Sequence, residues 1–331
     1  MNKLIKKINF NKIIKDYTML IMFGSLFILF SIMNPTFASL GNVKNIILQN
    51  TFIILVAVGI SFIMMSGSLD LSVGYQIAAI GVLTARLMTT VGLPVWQAVL
   101  LGIGFGMLLG LINGGIAVLF KIEPLIVTIA TMTVFKGFAN IISQGKSYNR
   151  FPDSFRELTR GTILGVPNDL WLAIIAVLIV SFVYRFTYYG RYVKAMGGNI
   201  EATRLAGVNV SLVRISTFVI SGFFVALASF VYISKLSVSN ATYGPGIEFT
   251  AMTAAILGGI SFNSGEGKMW GLIIGVFTLP IIENGMQLAG LNQYIQYIIK
   301  GAILILAIAF DKYPRKQKTL KQKSAKSNEK G

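Results

Sequence analysis

Long apolar stretches separated by short polar connections run through most of the chain. A helix that crosses the hydrocarbon core of a bilayer needs about 20 predominantly apolar residues, with a range of roughly 17–25. Ten stretches qualify as candidates for such helices. Their approximate limits are 18–33, 45–66, 72–90, 94–120, 125–142, 169–187, 212–235, 249–260, 269–288 and 293–310. The pattern therefore predicts an all-α, polytopic membrane protein with about ten transmembrane helices.

Two of the ten stretches do not fit a simple spanning helix. The eighth, 249–260, is too short to cross a bilayer by itself, which predicts a broken or re-entrant helix whose backbone is covered by protein or by a water-filled cavity. The third, 72–90, is rich in small and polar residues and contains Arg86. Eight spans are therefore the alternative to ten, and either even number places both termini on one side of the membrane.

The composition agrees with a membrane protein and excludes several kinds of site. Only 12% of the residues are charged, whereas a soluble domain carries roughly 25%. The chain has no His and no Cys, which excludes Ser-His-Asp and Cys-His nucleophiles, disulfides, and imidazole or thiolate zinc sites. We therefore expect no catalytic residue, no metal site and no cofactor.

Much of the formal net charge of +17 lies in two tails around a central transmembrane domain, residues 18–311. Residues 1–17 form a basic N-terminal segment, and residues 312–331 form a basic tail that we predict to be disordered. If the N-terminus is inside, eighteen Lys and Arg residues of short loops and tails fall on that side and five on the other. Cytoplasmic segments are enriched in these residues, so both termini are predicted to be cytoplasmic. The charge indicates contact with the lipid bilayer and not with nucleic acid.

Two fragments resemble the end of a phosphate-binding loop, and neither has the required spacing. Residues 145–147 are Gly-Lys-Ser, but Asn140 stands where the motif requires its first Gly. Residues 267–268 are Gly-Lys, but Phe262 stands at the corresponding position and Met269 follows. The chain therefore has no recognisable phosphate loop for ATP.

The connection between the sixth and seventh stretches carries the signals of a short helix. Asn199 is a favourable N-cap, Glu201 complements the positive end of a helix, and Gly207 can adopt the left-handed conformation that closes one. A helix of about two turns is unstable alone in water. It must therefore dock, either on its own helix bundle or on a cytoplasmic partner.

Five motifs follow one another between about residues 20 and 312 of the chain. They are 68–74 (Ser-Leu-Asp-Leu-Ser-Val-Gly), 190–207, 242–248, 256–259 (Ile-Leu-Gly-Gly) and 284–285 (Asn-Gly). In this order and spacing they resemble the permease subunits of ribose-type sugar ABC importers, which include ribose, galactose, xylose and autoinducer permeases. Ser68 and Glu283 depart from the pattern of that family, which leaves the substrate open.

The resemblance implies a multi-pass protein of the bacterial plasma (inner) membrane that moves a monosaccharide-type solute inward by alternating access. It implies three protein partners, namely a cytoplasmic ATPase subunit, an extracytoplasmic solute-binding protein, and a second permease copy or a paralogue. It also implies that the segment around Asn199 couples the permease to the ATPase. The coupling residues are Gly197, Gly198, Asn199, Glu201, Ala202, Arg204, Leu205 and Gly207. Alternatives are a permease for branched-chain amino acids or nucleosides, an ion-coupled secondary transporter, and a non-transporting scaffold or receptor.

Polar residues inside the apolar stretches are candidates for a substrate pathway. A charged residue at the centre of a membrane helix costs about 2.5–3.5 kcal/mol on insertion scales, so such residues usually have a function. Asp70 and Ser72 lie at the start of the third stretch, where they either cap exposed N–H groups or contact a ligand. Asn-Gly at 113–114 and at 284–285 is in each case followed by a Lys-Gly pair. The two sets would run in opposite directions, as in inverted five-helix repeats, but their spacings differ and chance is the alternative. This similarity ranks Asn113 and Asn284 as pathway residues.

The ninth stretch contributes further pathway candidates. Glu283, Asn284 and Gln287 are predicted to share one face of its helix, because residues three and four apart are neighbours. Glu283 is also predicted to form an ion pair with Lys300 of the tenth stretch. The glycines of the fourth stretch have a structural explanation instead, since they fit close helix packing. They include Gly102, Gly104, Gly106 and Gly110.

The connection 143–168 is predicted to lie outside the membrane, and basic and acidic residues are interspersed along it. One interpretation is an ordinary solvated loop. The other, favoured by the resemblance, is a docking surface for the solute-binding protein, where complementary charges set the orientation and the association rate. The candidate docking residues are Arg150, Arg156 and Arg160.

Overall fold

The computed structural model describes the backbone of residues 10–309 and the side chains of residues 19–309. Most of this part is helical, which confirms the predicted all-α architecture. The helices are α1 (Phe10–Met33), α2 (Leu40–Gln49), α3 (Thr51–Met65), α4 (Val73–Thr89), α5 (Val95–Leu119), α6 (Pro124–Ser143), α7 (Asp153–Arg160), α8 (Asn168–Phe186), α9 (Tyr188–Gly198), α10 (Ile200–Leu205), α11 (Val210–Leu236), α12 (Ile247–Leu257), α13 (Met269–Leu288) and α14 (Gln293–Ala309).

Two smaller elements interrupt the helical pattern. A single 3₁₀ turn covers Pro35–Ala38. Two short antiparallel strands, β1 (Thr162–Ile163) and β2 (Val166–Pro167), form a hairpin within the connection 143–168. The predicted N-terminal segment 1–17 overlaps α1, which begins at Phe10. Its first nine residues and the predicted tail 312–331 lie outside the described residues.

Every predicted apolar stretch contains a helix, but the helices differ in length. Within the described residues, α5, α6, α8, α11 and α13 are each long and apolar enough to cross a membrane. The pair α2 and α3 also qualifies, although its axis bends by 43° at the break between the two helices. The apolar part of α1 and the helices α4, α12 and α14 are shorter, at 10–17 residues. The chain is therefore polytopic, with five or six helices of full spanning length and four shorter ones.

A buried ionic cluster surrounds the break between α2 and α3. The Lys235 ammonium at the end of α11 lies 2.6 Å from the buried Asp169 carboxylate at the start of α8. The Thr51 hydroxyl donates to the same carboxylate at 2.6 Å, and Lys235 also donates to the Leu48 carbonyl oxygen of α2. A buried ion pair is tolerated when its remaining polar atoms are hydrogen-bonded. The cluster therefore ties the bend to α8 and α11.

The helix α11 packs closely against α5 along a row of glycines. A Cβ atom on Gly110 would overlap the Phe218 carbonyl oxygen, and one on Gly106 would lie 2.6 Å from the Gly222 carbonyl oxygen. Gly102 faces Thr84 and Phe230 just as tightly. Gly104 differs, because a Cβ there would meet nothing within 4 Å. The packing role is confirmed for Gly102, Gly106 and Gly110, while the prediction for Gly104 was wrong because that residue points away from the neighbouring helices.

The eighth stretch forms a short buried helix, as its length predicted. α12 has 11 residues, and most of them are buried. The preceding segment 237–246 is not helical and runs along α4, where Gly244 contacts Gly74. Gly244 and Gly246 have φ values of 127° and 97°, which favour glycine. A half-length helix preceded by a segment of turns is therefore covered by protein, as a broken membrane segment must be.

Connections assigned to the same side of the membrane contact one another. At one end of the bundle, Gly197 of α9 lies against the backbone of Met65 and Gly265. At the opposite end, Tyr148 forms an isolated β-bridge with Ser239, and Arg160 of α7 reaches the end of α11. Two connections on the same side of a membrane are separated by an even number of crossings. The contacts at both ends of the bundle agree with the predicted sides of these connections.

Candidate functional site

A buried network of polar side chains joins the segment before α4 to α5 and α6. The Asp70 carboxylate, 1% exposed, accepts hydrogen bonds from the Ser72 backbone N–H at 2.8 Å and from the Ser72 hydroxyl at 2.6 Å. The Gln76 amide donates to Asp70 at 3.0 Å. The Asn113 amide donates to Ser72 Oγ at 2.8 Å and accepts from the Thr131 hydroxyl at 2.6 Å. Both oxygens of a buried carboxylate are thus supplied with donors, as burial requires.

The structure brings together three of the predicted pathway residues, namely Asp70, Ser72 and Asn113. Asp70 bonds the backbone N–H of Ser72, the residue that precedes α4. The predicted capping of the helix was wrong, because the Ser72 side chain makes no hydrogen bond to the first turn of α4 and bonds within the network instead. Gln76 and Thr131 belong to the same network and were not predicted. Gln76 could have been found, because it lies four residues after Ser72 and therefore on the same helix face. Thr131 could not, because nothing in the sequence pairs it with Asn113.

Two of the sequence motifs pack against each other near this network. Gly74, at the end of the motif 68–74, lies so close to Glu248 that a Cβ atom would overlap its carboxylate. Glu248 is buried, and its carboxylate accepts a hydrogen bond from the Gly246 backbone N–H at 2.9 Å. The starts of α4 and α12 are therefore fitted together, and glycine at position 74 makes the approach possible.

The predicted ion pair between Glu283 and Lys300 is confirmed. Lys300 Nζ lies 2.5 Å from Glu283 Oε1, and the two side chains are 29% and 31% exposed. The pair connects α13 to α14. Because each charge neutralises the other, neither helix carries an isolated charge at this level.

The other two predicted residues of α13 do not meet Glu283 at a common site. The Asn284 amide faces α2, where it exchanges hydrogen bonds of 2.8 and 3.1 Å with the Asn42 amide. Gln287 is exposed. The prediction of one shared polar face was wrong in this respect, because neighbouring residues 283 and 284 point about 100° apart on a helix and each found a partner on a different element.

The short helix predicted after Asn199 is α10, and its ends have the predicted caps. Asn199 Oδ1 accepts a hydrogen bond from the Ala202 backbone N–H at 3.0 Å. Gly207 closes the turn with a φ of 84°. Leu205 is 88% exposed. The other predicted coupling residues on the outer surface are Gly198, Asn199, Glu201, Ala202, Arg204 and Gly207.

The predicted coupling segment is preceded by a further helix, α9, which was not predicted. Gly197 lies on α9 and is half-buried against the Met65 carbonyl oxygen and Gly265. Lys194 donates to the Tyr184 carbonyl oxygen at 3.1 Å, and its burial there lowers the pKa of the ammonium group. The helix α10 is therefore held against the bundle through α9, while its outer face is exposed within the described part of the chain.

A cleft of about 500 Å³ lies beside α10. Lys121, Arg204 and Arg214 line it together with Glu123 and apolar residues of α5, α10 and α11. Arg204 is partly neutralised, because it lies 3.0 Å from the Glu201 carboxylate. The cleft and the exposed face of α10 form one continuous surface at this end of the bundle.

The three arginines proposed for docking have different surroundings. Arg150 is exposed and has a left-handed backbone with a φ of 62°. Arg156 lies 3.6 Å from the Asp153 carboxylate within α7. Arg160 donates to the Ser234 and Lys235 carbonyl oxygens at 2.5 and 2.8 Å. It therefore satisfies carbonyl groups at the C-terminal end of α11, a structural task that the sequence did not reveal.

The chain is similar to known proteins over most of its length. Residues 42–308 match the family model described as branched-chain amino acid transport system / permease component. The L-arabinose transport system permease protein AraH of Escherichia coli is 37% identical over 310 residues, which cover 94% of each chain. The ribose import permease protein RbsC of Bacillus subtilis is 32% identical over 309 residues, covering 93% of this chain and 96% of the relative. RbsC of Haemophilus influenzae is 32% identical over 287 residues. No solved structure matches the chain at a significant level.

Proposed function

Because the chain belongs to the family of branched-chain amino acid transport system permease components, we propose that it is the membrane-spanning subunit of a binding-protein-dependent ABC importer for a monosaccharide. Similarity to arabinose and ribose permeases along nearly the whole chain supports a sugar as the cargo. The family description alone would also allow branched-chain amino acids. The protein would reside in the bacterial plasma membrane with both termini in the cytoplasm, as the distribution of basic residues predicts.

The exposed helix α10 is the observation that best supports coupling of this chain to an ATPase subunit. A six-residue helix with an exposed Leu205 is not stable by itself, and its outer face lacks a covering element among the described residues. A cytoplasmic ATPase subunit would cover this face. ATP-driven closure of two such subunits would move α9 and α10 and shift the bundles of two permease copies from outward-open to inward-open states.

The ion-coupled alternative receives less support from the same geometry. Both oxygens of Asp70 already accept hydrogen bonds from neighbouring side chains. Glu283 is paired with Lys300. A proton-coupled or cation-coupled carrier needs a carboxylate that can exchange its partner for the ion, and each of these two carboxylates already has a partner within the protein.

Two exposed leucines at opposite ends of the molecule provide the test. Leu205→Asp should abolish association with the ATPase subunit and ATP-dependent sugar uptake, because a carboxylate cannot be buried in that interface without a partner. Leu164, in the β-hairpin turn, is 90% exposed, and Leu164→Asp is the matched control that should leave ATPase association unchanged. Co-purification of the ATPase and uptake of L-arabinose and D-ribose into proteoliposomes measure the two effects. Normal ATPase association of the folded Leu205→Asp protein would contradict the proposal.

A further inference from the structure

A second cleft of about 500 Å³ opens between α12, α13 and α14. This size lies within the range of small-molecule sites, which usually combine apolar and aromatic walls with a few polar groups. Its polar and aromatic lining consists of Phe249, Thr250, Thr253, Tyr297 and Lys300. The same cleft is lined at one end by Pro245, Gly246 and Ile247, where the half-length helix α12 begins.

The position of the cleft favours a site on the transport pathway over a lipid-facing groove. In secondary transporters, interrupted membrane helices typically form the substrate site, and α12 is a helix of this half-length kind. Ionisable residues within membrane segments face a water-filled cavity or another part of the protein, since lipid cannot solvate them. Lys300 lines the cleft and its partner Glu283 lies 2.5 Å away. Two independent features of the fold, the broken helix and the ion pair, therefore meet at one cavity.

The chemistry of the lining favours an uncharged ligand with many hydroxyl groups. The ion pair leaves no net charge at this point, yet its ammonium can donate and its carboxylate can accept further hydrogen bonds. The hydroxyls of Thr250 and Thr253 donate to the Gly246 and Phe249 carbonyl oxygens, so they offer acceptor oxygens to a ligand. Tyr297 is 55% exposed and is held by a hydrogen bond of 2.7 Å from the Gln293 amide to its hydroxyl. Its ring offers an apolar face to C–H groups.

We propose that the cleft between α12, α13 and α14 is a binding site for a monosaccharide, with Tyr297, Thr250 and Lys300 in contact with the sugar. This inference rests on the proposed function and assigns a place and a set of contacts to the cargo. The competing ligand is a zwitterionic amino acid. It is disfavoured because it would have to separate Glu283 from Lys300 to bind both charged groups.

The absence of native cysteine allows a direct test on the purified full-length permease without its partners. Thr250→Cys places a thiol in the cleft, and Tyr294→Cys places the control thiol on α14 outside it, at a position that is 74% exposed. Modification by a small methanethiosulfonate reagent is followed with L-arabinose, D-ribose or L-leucine present in excess. We expect a pentose to slow modification of Thr250→Cys at least threefold and to leave Tyr294→Cys unchanged. Equal rates with and without pentose, or protection by L-leucine alone, would overturn the proposal.

Uptake in the assembled importer supplies the second measurement. Tyr297→Ala should reduce pentose uptake at least tenfold while ATPase association is retained, and Tyr294→Ala should transport normally. Equal uptake by the two alanine variants would also overturn the assignment. If the wild-type importer carries no sugar at all, the proposed function fails, and thiol protection still decides separately whether the cleft binds a pentose.

Discussion

The Asn113 side chain links α5 to the segment before α4 and to Thr131 of α6. Asn113→Ala removes its hydrogen bonds to Ser72 and Thr131, and Thr131 then keeps only a 3.4 Å bond to the Thr128 carbonyl oxygen. A hydrogen bond contributes about 0.5–1.5 kcal/mol to stability, so we expect a lower thermal midpoint of the purified protein in detergent. Asn140→Ala on α6 is the control, because that exposed amide bonds the Lys136 carbonyl oxygen of its own helix. Equal midpoints of the two variants would contradict a stabilising role for the network.

The pair of Glu283 and Lys300 makes a second prediction for single residues. Glu283→Lys and Lys300→Glu should each impair stability and uptake, because each places two like charges side by side. The double exchange should recover most of the loss, with a coupling energy of about 1 kcal/mol in a double-mutant cycle of thermal stability. Losses that simply add in the double variant would show that the two side chains act independently.

Packing between elements is most directly tested in α5, where two glycines of one helix have opposite surroundings. Gly110→Ala should destabilise the protein by about 1–3 kcal/mol, because the new methyl group overlaps the Phe218 carbonyl oxygen. Gly104→Ala faces open space and should be neutral or slightly stabilising, since alanine favours the helix by up to about 1 kcal/mol. Thermal unfolding of the two variants measures the difference. A stable Gly110→Ala protein would mean that α5 and α11 separate at little cost.

Elements governed by local signals were predictable, and contacts between distant parts of the chain were not. Each of the ten apolar stretches contains a helix, as their length and hydrophobicity predicted. Asn199 and Gly207 also marked the ends of α10 correctly. Hydrophobicity also identified α12 as too short to span. The amphipathic helices α7 and α9 were missed, because polar connections give no apolar signal. The partners of Asn284 and Arg160 lie 242 and 74 residues away, a separation at which sequence patterns carry no information.

At the scale of the whole molecule, the end of the bundle that carries the connection 143–168 should receive the solute-binding protein. Arg150→Glu combined with Arg156→Glu should weaken its binding, and the effect should decline as salt screens the charges. Titration of the binding protein at low and high salt measures both properties. Arg160 is unsuitable for this test, because its removal also frees the carbonyl groups at the end of α11. Unchanged affinity of the double variant would contradict docking at this surface.

The contact between α9 and its neighbours is made largely by backbone atoms. Gly197 touches the Met65 carbonyl group and Gly265, and Gly265 in turn faces the Lys194 carbonyl oxygen. Side chains can change rotamer and so absorb a displacement, whereas main chains in direct contact have no comparable freedom. A displacement of α9 would therefore be transmitted with little loss. It would move the end of α3 and the connection between α12 and α13 together. These two segments lead to the buried network and to the cleft beside α14.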